Sequence, residues 1–312
     1  MESITEILGI KHPVIMAPMF LVTNVEMMTE ALNSDIAAAI PALNFRTDEE
    51  FRKAIKAIRN KSEGPIGVNL IVNKSNVKLK KQIDSCIELN VDFIITSLGS
   101  PSEVIQRCKP LGIKIFCDVI DLKYALKVQE LGADAVIAVN SMAGGHAGRI
   151  EPDKLVKELV EKLDIPVISA GGISIKDDVD RIIGLGAAGV SVGTVFIASK
   201  ESDVSDDYKN ALVEYGAKDV ILTDSISGTP LTVINTPYVQ GLKHEAGRFK
   251  KYLLKNRRFK KFAKMLVMLK GMKSIKRAAQ KPTYKTVWVA GPSIENIKEI
   301  KPVKEIVKSL VS

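Results

Sequence analysis

The sequence predicts an α/β chain folded as a (β/α)8 (TIM) barrel, with a helical insertion late in the sequence near the barrel mouth. Three observations lead there. Val- and Ile-rich runs of four to six residues, apolar on both faces, recur eight times, as strands buried in a parallel sheet require. Each is followed by a helix-length amphipathic stretch or a turn leading into one, a repeated βα unit that closes most simply into a barrel. The length of 312 residues accommodates one such barrel of about 250 residues plus an excursion. An open doubly wound sheet built from the same units is the competing arrangement, because strand order is not written in a single sequence.

In chain order the expected strands are Pro13–Ala17, Ile36–Pro41, Ile66–Leu70, Phe93–Ser97, Lys114–Cys117, Ala135–Val139, Val167–Ala170 and Gly189–Val192. Helical patterns occupy Asp48–Arg59, Leu122–Leu131, Asp153–Leu163 and Ile175–Leu185 between them, and Asp206–Tyr215 after them. Strand-like pieces follow around Ile221–Val233. Beyond the insertion, Thr286–Ala290 reads as a short strand and Val303–Val311 as a closing amphipathic helix. The expected organisation is a barrel formed by 1–242 and 283–312, interrupted by a basic helical insertion, a lid or substrate subdomain, at 243–282.

Composition is ordinary for a globular protein at 46% hydrophobic and 26% charged residues, which excludes wholesale disorder. Met1 to Pro13 lacks the basic and apolar regions of a signal peptide, and no apolar run reaches the roughly 18 residues of a membrane span. Cys86, Cys108 and Cys117 are odd in number and follow no metal-ligand spacing, so a cytoplasmic chain without a disulfide framework or metal is expected. The net charge of +9 is unevenly placed. Lys243 to Lys285 holds 16 Lys or Arg against one acid, Glu245, while the remainder is mildly acidic. Apolar positions Phe249, Leu253, Phe259, Phe262, Leu266 and Leu269 inside it fall near helical spacing. It carries no stacking array or motif for nucleic acid.

In barrels of this kind chemistry sits at the carboxyl ends of the strands. After the seventh strand comes Ala170-Gly171-Gly172-Ile173, and after the eighth Gly193-Thr194. Paired glycine turns let backbone N–H groups approach an anion, and a helix N-terminus favours negative charge. Gly171, Gly172, Gly193 and Thr194 therefore form a candidate phosphate cradle, which by itself does not separate flavin mononucleotide from a sugar phosphate. After the sixth strand, Asn140-Ser141-Met142-Ala143-Gly144-Gly145-His146-Ala147-Gly148 surrounds one histidine with small residues. Its imidazole is expected to stand clear at the barrel mouth, able to exchange a proton or hold an anion near neutral pH. His12 and His244 have no comparable setting.

The run Ala143-Gly144-Gly145-His146-Ala147-Gly148 resembles the AGGH-x-G motif of the nitronate monooxygenase family. Supporting segments are Pro13-Val14-Ile15-Met16-Ala17-Pro18-Met19, Pro41-Ala42-Leu43-Asn44, Gly67-Val68-Asn69-Leu70, Ser169-Ala170-Gly171-Gly172-Ile173, Gly193-Thr194-Val195-Phe196, Ser227-Gly228 and Trp288-Val289-Ala290-Gly291. The resemblance implies an FMN-dependent oxidoreductase that oxidises alkyl nitronates with dioxygen to a carbonyl compound and nitrite. It places Ala17, Pro18 and Met19 against the flavin rings, Asn69 on their pyrimidine edge, and Gly144, Gly145, Ala170, Gly171, Gly172, Gly193 and Thr194 around the cofactor. His146 then faces a small nitronate or nitroalkane, either as a neutral base or as an imidazolium.

Three departures stand out. Met142 occupies a place where many relatives carry an acid, Cys117-Asp118 one where a basic residue is common, and Pro292-Ser293 one where Gln-Gly is common. The rival expectations on the same scaffold are an NADH- or NADPH-dependent enoyl-thioester reductase, whose acidic carrier protein would suit the basic insertion, and a quinone reductase.

Overall fold

The computed structural model describes residues 2–224, 230–245 and 287–312. The insertion expected at 243–282 lies outside the described residues apart from its first turn, as do Ser227, Gly228 and Thr286.

Eleven strands are present among the described residues: β1 Val14–Met16, β2 Ala37–Pro41, β3 Ile66–Ile71, β4 Phe93–Ser97, β5 Lys114–Val119, β6 Ala135–Val139, β7 Gly145–His146, β8 Val167–Ala170, β9 Gly189–Val192, β10 Val220–Thr223 and β11 Leu231–Ile234. Eight of them form a closed parallel barrel in the order β1-β2-β3-β4-β5-β6-β8-β9. Closure is made by β9 pairing back onto β1, with Val14 opposite Val190 and Met16 opposite Val192. All eight expected strands are found, and the doubly wound alternative is excluded by that last pairing. The fifth strand runs two residues further than the sequence suggested, which brings Asp118 into it.

The helices are α1 Ile4–Leu8, α2 Val25–Leu32, α3 Asp48–Arg59, α4 Leu79–Glu88, α5 Ser102–Cys108, α6 Leu122–Glu130, α7 Pro152–Lys162, α8 Lys176–Gly184, α9 Thr194–Ile197, α10 Asp206–Glu214, α11 Pro237–Glu245 and α12 Val303–Val311. The logic of α3 shows why they form. Thr47 Oγ1 accepts from the Glu50 N–H at 3.1 Å while Glu50 reaches back to the Thr47 N–H at 3.3 Å, a reciprocal cap that satisfies two orphan donors. Acids fill its first turn and Lys56 and Arg59 its last, matching the helix dipole. Phe51, Ala54, Ile55 and Ile58 form its buried stripe, and the larger of these side chains contribute about 1.5–3 kcal/mol each by burial. The helix that completes the ring comes from the C-terminus, since α12 packs between α2 and α8.

Alternation along each strand separates two cores. Outward residues such as Val68, Ile94, Cys117 and Val190 meet the helices. Inward residues such as Ile15, Phe93, Ile95, Phe116 and Ile168 fill the barrel. Phe93 and Phe116 lie with ring centroids 5.3 Å apart. A Cβ on Gly67 would come within 2.2 Å of Phe93, so glycine is what lets that ring enter. The amino end is plugged by α1, where Ile4 is fully buried and donates its N–H to Ala188 O at 3.1 Å. With the floor occupied by α1, a ligand of the barrel is expected at its carboxyl end.

The strand-like pieces near Ile221–Val233 form an antiparallel pair, β10 with β11. The strand expected at Thr286–Ala290 reduces, among the described residues, to a single bridge between Val233 and Val289. At its carboxyl end it stops because Gly291-Pro292 turns the chain into a 3-10 helix, Pro292–Asn296, and proline cannot extend a ladder.

Candidate active site at the barrel mouth

Five chain segments meet on one half of the rim, and glycine sets their spacing. A Cβ added to Gly144 would lie 2.9 Å from both Gly291 N and Thr194 Oγ1. One added to Gly193 would meet Ala17 at 3.6 Å and Met19 at 3.7 Å, and one on Gly172 would meet Met142 Sδ at 3.0 Å. The loops after β1, β6, β8 and β9 and the segment 290–291 thus form a contiguous arc. It includes Ala17, Met19, Gly144, Gly171, Gly172, Gly193 and Thr194, with Pro18 between its neighbours in the β1 loop.

Gly171 and Gly172 have φ of +113° and +74°, conformations that side chains rarely adopt. At Gly171 space forbids one as well, since a Cβ would approach Ala143 N and Asn140 Oδ1 to 2.4 Å. Among the described residues, the N–H groups of Gly171, Gly172, Ile173, Gly193 and Thr194 donate to no protein acceptor. Thr194 Oγ1 accepts from Gly291 N–H at 3.0 Å, which leaves its own proton for an outside acceptor. Clustered donors on two neighbouring turns, beside the N-terminus of α9, suit the terminal phosphate of a mononucleotide. Met142 places an uncharged thioether against the Gly172 turn, so no carboxylate opposes an anion there.

The histidine loop is held by a residue that the sequence reading did not single out. Asn140 is fully buried. Its Nδ2 donates to Gly171 O at 3.0 Å, its Oδ1 accepts from Met142 N–H at 2.9 Å, and its own N–H donates to Ala170 O at 3.1 Å. One side chain therefore ties the β6 loop to the β8 turn. Its place directly after a buried strand was the only signal available.

His146 is exposed, as expected, but its backbone is held in a ladder. Gly145 and His146 form β7, an edge strand pairing antiparallel with β11, Gly145 opposite Thr232 and His146 opposite Leu231. Small neighbours do not free the loop; they allow it to lie flat against a strand some 85 residues later. His146 keeps an exposed edge, yet the surrounding protein desolvates its ring and pushes its pKa below the ordinary imidazole value. Phe196 is fully buried in the outer core.

On the opposite half of the rim, at the ends of β3, β4 and β5, lie Asn69, Ser97 and Asp118. Inward pointing follows from alternation with outward Leu70, Thr96 and Cys117. Asn69 Nδ2 donates to Ile95 O at 3.1 Å and to Ser97 Oγ at 2.8 Å. Ser97 Oγ in turn donates to Asp118 Oδ2 at 2.5 Å. Burial pushes the Asp118 carboxyl up to about 6, against the lowering effect of the Ser97 hydrogen bond. Asn69 was anticipated here and Asp118 was noted as a departure at a place where a basic residue is common; Ser97 was not singled out. Among the described residues, no cluster of His, Cys, Asp and Glu could hold a metal ion, and no helix is long and apolar enough to cross a membrane.

A family model described as nitronate monooxygenase matches residues 1–312. A Rhodococcus jostii protein named (3aS,4S,5R,7aS)-5-hydroxy-7a-methyl-1-oxo-octahydro-1H-indene-4-carboxyl-CoA dehydrogenase is 30% identical over 85% of this chain and 74% of its own length. A probable nitronate monooxygenase of Staphylococcus aureus is 27% identical over 82% of this chain and 84% of its own. Among solved structures, FabK from Thermotoga maritima superposes with a TM-score of 0.88 at 29% identity, covering 99% of this chain and 95% of that one.

Proposed function

The chain belongs to the nitronate monooxygenase family and is a flavin-dependent oxidoreductase; from that premise we propose that it holds FMN and oxidises alkyl nitronates with dioxygen to a carbonyl compound and nitrite. The observation that carries the reading is the cradle of unpartnered N–H groups at Gly171, Gly172, Gly193 and Thr194, beside the loop that bears His146. Two neighbouring turns of unpartnered N–H groups would suit one phosphate, and the mononucleotide is proposed on that ground. In this reading Ala17, Pro18 and Met19 would lie against the rings, Gly144, Gly145 and Ala170 would contact the cofactor, and Asn69 would meet the pyrimidine edge. When bound, the flavin supplies the electron transfer from substrate to oxygen.

The chain's own residues prepare that chemistry. With its pKa lowered by desolvation, His146 is neutral at pH 7 and suited to take a proton from the α-carbon of a neutral nitroalkane. An imidazolium role would need the opposite shift. Asn140 keeps the histidine loop and the glycine turn in register. The strand partnership with β11 restrains the backbone that carries the base, so orientation is set before substrate arrives.

A second reading keeps the flavin and changes the substrate. Identity of 30% to a protein named as a carboxyl-CoA dehydrogenase favours a coenzyme A thioester as substrate, and the basic stretch between Lys243 and Lys285 would attract an acidic carrier protein or a nucleotide phosphate. A quinone reductase is the remaining variant of this nicotinamide-dependent reading. Three buried free thiols suit a reducing cytoplasm.

Anaerobic stopped-flow spectroscopy separates these readings. Flavin bleaching by ethylnitronate, with little bleaching by NADH or NADPH, supports the oxidation of nitronates. Rapid bleaching by a reduced nicotinamide with no response to the nitronate overturns it.

A further inference from the structure

At the ends of β3, β4 and β5, hydrogen bonds are arranged with a fixed direction. Ile95 O can only accept, so the atom of Asn69 facing it is Nδ2, one of two restraints on the amide. The second amide hydrogen goes to Ser97 Oγ. That hydroxyl has one proton, and it is given to Asp118. Both donors of Asn69 are therefore consumed by the protein. What the amide has left is Oδ1, and what the carboxyl has left is Oδ1, neither of which accepts a hydrogen bond among the described residues. This half of the mouth presents acceptors and a potential negative charge. The other half presents N–H donors at the glycine turns.

We infer that Asp118 is a positioning residue that sets the polarity of the cofactor site: through Ser97 it holds Asn69 with its carbonyl toward the ligand, and its own carboxylate opposes negative charge on the ligand's ring system. The inference rests on the flavin reading above. Asn69 then reads a donor on the cofactor's pyrimidine edge, while reduction, which adds electrons to the ring, proceeds against an acidic neighbour. Among the described residues no cation contributes to the setting of Asp118, which is governed by burial and the Ser97 hydroxyl. Adjacent Cys117 faces outward, where burial pushes its thiol up to about 12 and keeps it neutral.

The test uses the purified flavin-loaded protein and two substitutions. Asp118→Asn is nearly isosteric and keeps an oxygen to accept from Ser97 while removing the charge. Its midpoint potential should rise by about 30 mV, a roughly tenfold gain in relative affinity for reduced over oxidised flavin for a two-electron couple. Its affinity for oxidised flavin should stay within about threefold. Ser97→Ala keeps the charge and breaks the relay, so affinity for oxidised flavin should fall by about tenfold with little change in potential. Wild-type potential in flavin-loaded Asp118→Asn, or wild-type flavin affinity in Ser97→Ala, overturns the inference. If the unsubstituted protein takes up no flavin after FMN addition and gel filtration, the cofactor reading fails first and the inference falls with it. A polarity that is merely structural would alter stability in these variants and leave the potential where it was.

Discussion

Asp118 also predicts a stability effect large enough to measure. Its carboxyl is raised from the ordinary 3.8 to about 6 by burial. A gap of about two pH units at 1.36 kcal/mol each amounts to about 3 kcal/mol. The carboxyl retains some solvent contact, and screening trims the expected effect to about 2 kcal/mol. The sign follows from linkage. Below the unfolded value of 3.8 the group is protonated in both states and contributes nothing unfavourable. As pH rises through about 6 the folded state must hold a desolvated charge, and the stability present at low pH is lost. Asp118→Asn removes that charge while keeping an acceptor for Ser97. In flavin-free protein, the variant should match the parent near pH 4 and exceed it by about 2 kcal/mol at pH 7.5. In a melting experiment the gap corresponds to about 4 °C for a chain of this size. Thermal unfolding followed by circular dichroism from pH 4 to pH 8 reads both limits. A difference that stays constant across this range, or a parent that gains on the variant as pH rises, would refute the reasoning.

Other predictions follow from the same contacts. Gly171→Ala forces a side chain into φ +113° and to 2.4 Å from Asn140 Oδ1 and Ala143 N; it should destabilise the protein by about 1–3 kcal/mol and abolish flavin retention on gel filtration. Asn140→Ala leaves the Gly171 carbonyl and the Met142 N–H without their partner, at a cost of about 1–3 kcal/mol, measurable as a lowered denaturation midpoint. His146→Asn should keep flavin content, by absorbance, and lower turnover of a neutral nitroalkane about 10²-fold. The same variant should lose far less with a preformed nitronate, which needs no proton removed; equal losses on both substrates would reject the role as base.

Much of the barrel was legible before folding was considered. Runs such as Ala135–Val139 and Val167–Ala170 are too apolar on both faces to be anything but interior strands, and the Gly171-Gly172 and Gly193-Thr194 turns lie at their ends where a cradle belongs. Asn69 and His146 could be named because each falls in a short segment with a characteristic pattern. Asn140 and Ser97 could not, and Asp118 drew notice only as a departure from the family pattern, not for its partnership with Ser97. Their roles come from hydrogen bonds to residues 31, 28 and 21 positions away, and nothing local in the sequence records such a partnership. His146 shows the same limit from the other side, because its neighbours suggested freedom while a distant strand supplied restraint.

The sequence by itself determined the eight strands, the glycine turns and the identity of the polar groups available at the strand ends, because side-chain alternation and backbone freedom are local properties of the chain. Tertiary structure alone decided that β9 returns to β1, that the C-terminal helix completes the outer ring, and that an acceptor-bearing half of the mouth faces a donor-bearing half. Closure of the sheet does this physically: it brings residues far apart in sequence to within hydrogen-bonding distance, and the direction of each bond then depends on which groups the fold has already satisfied.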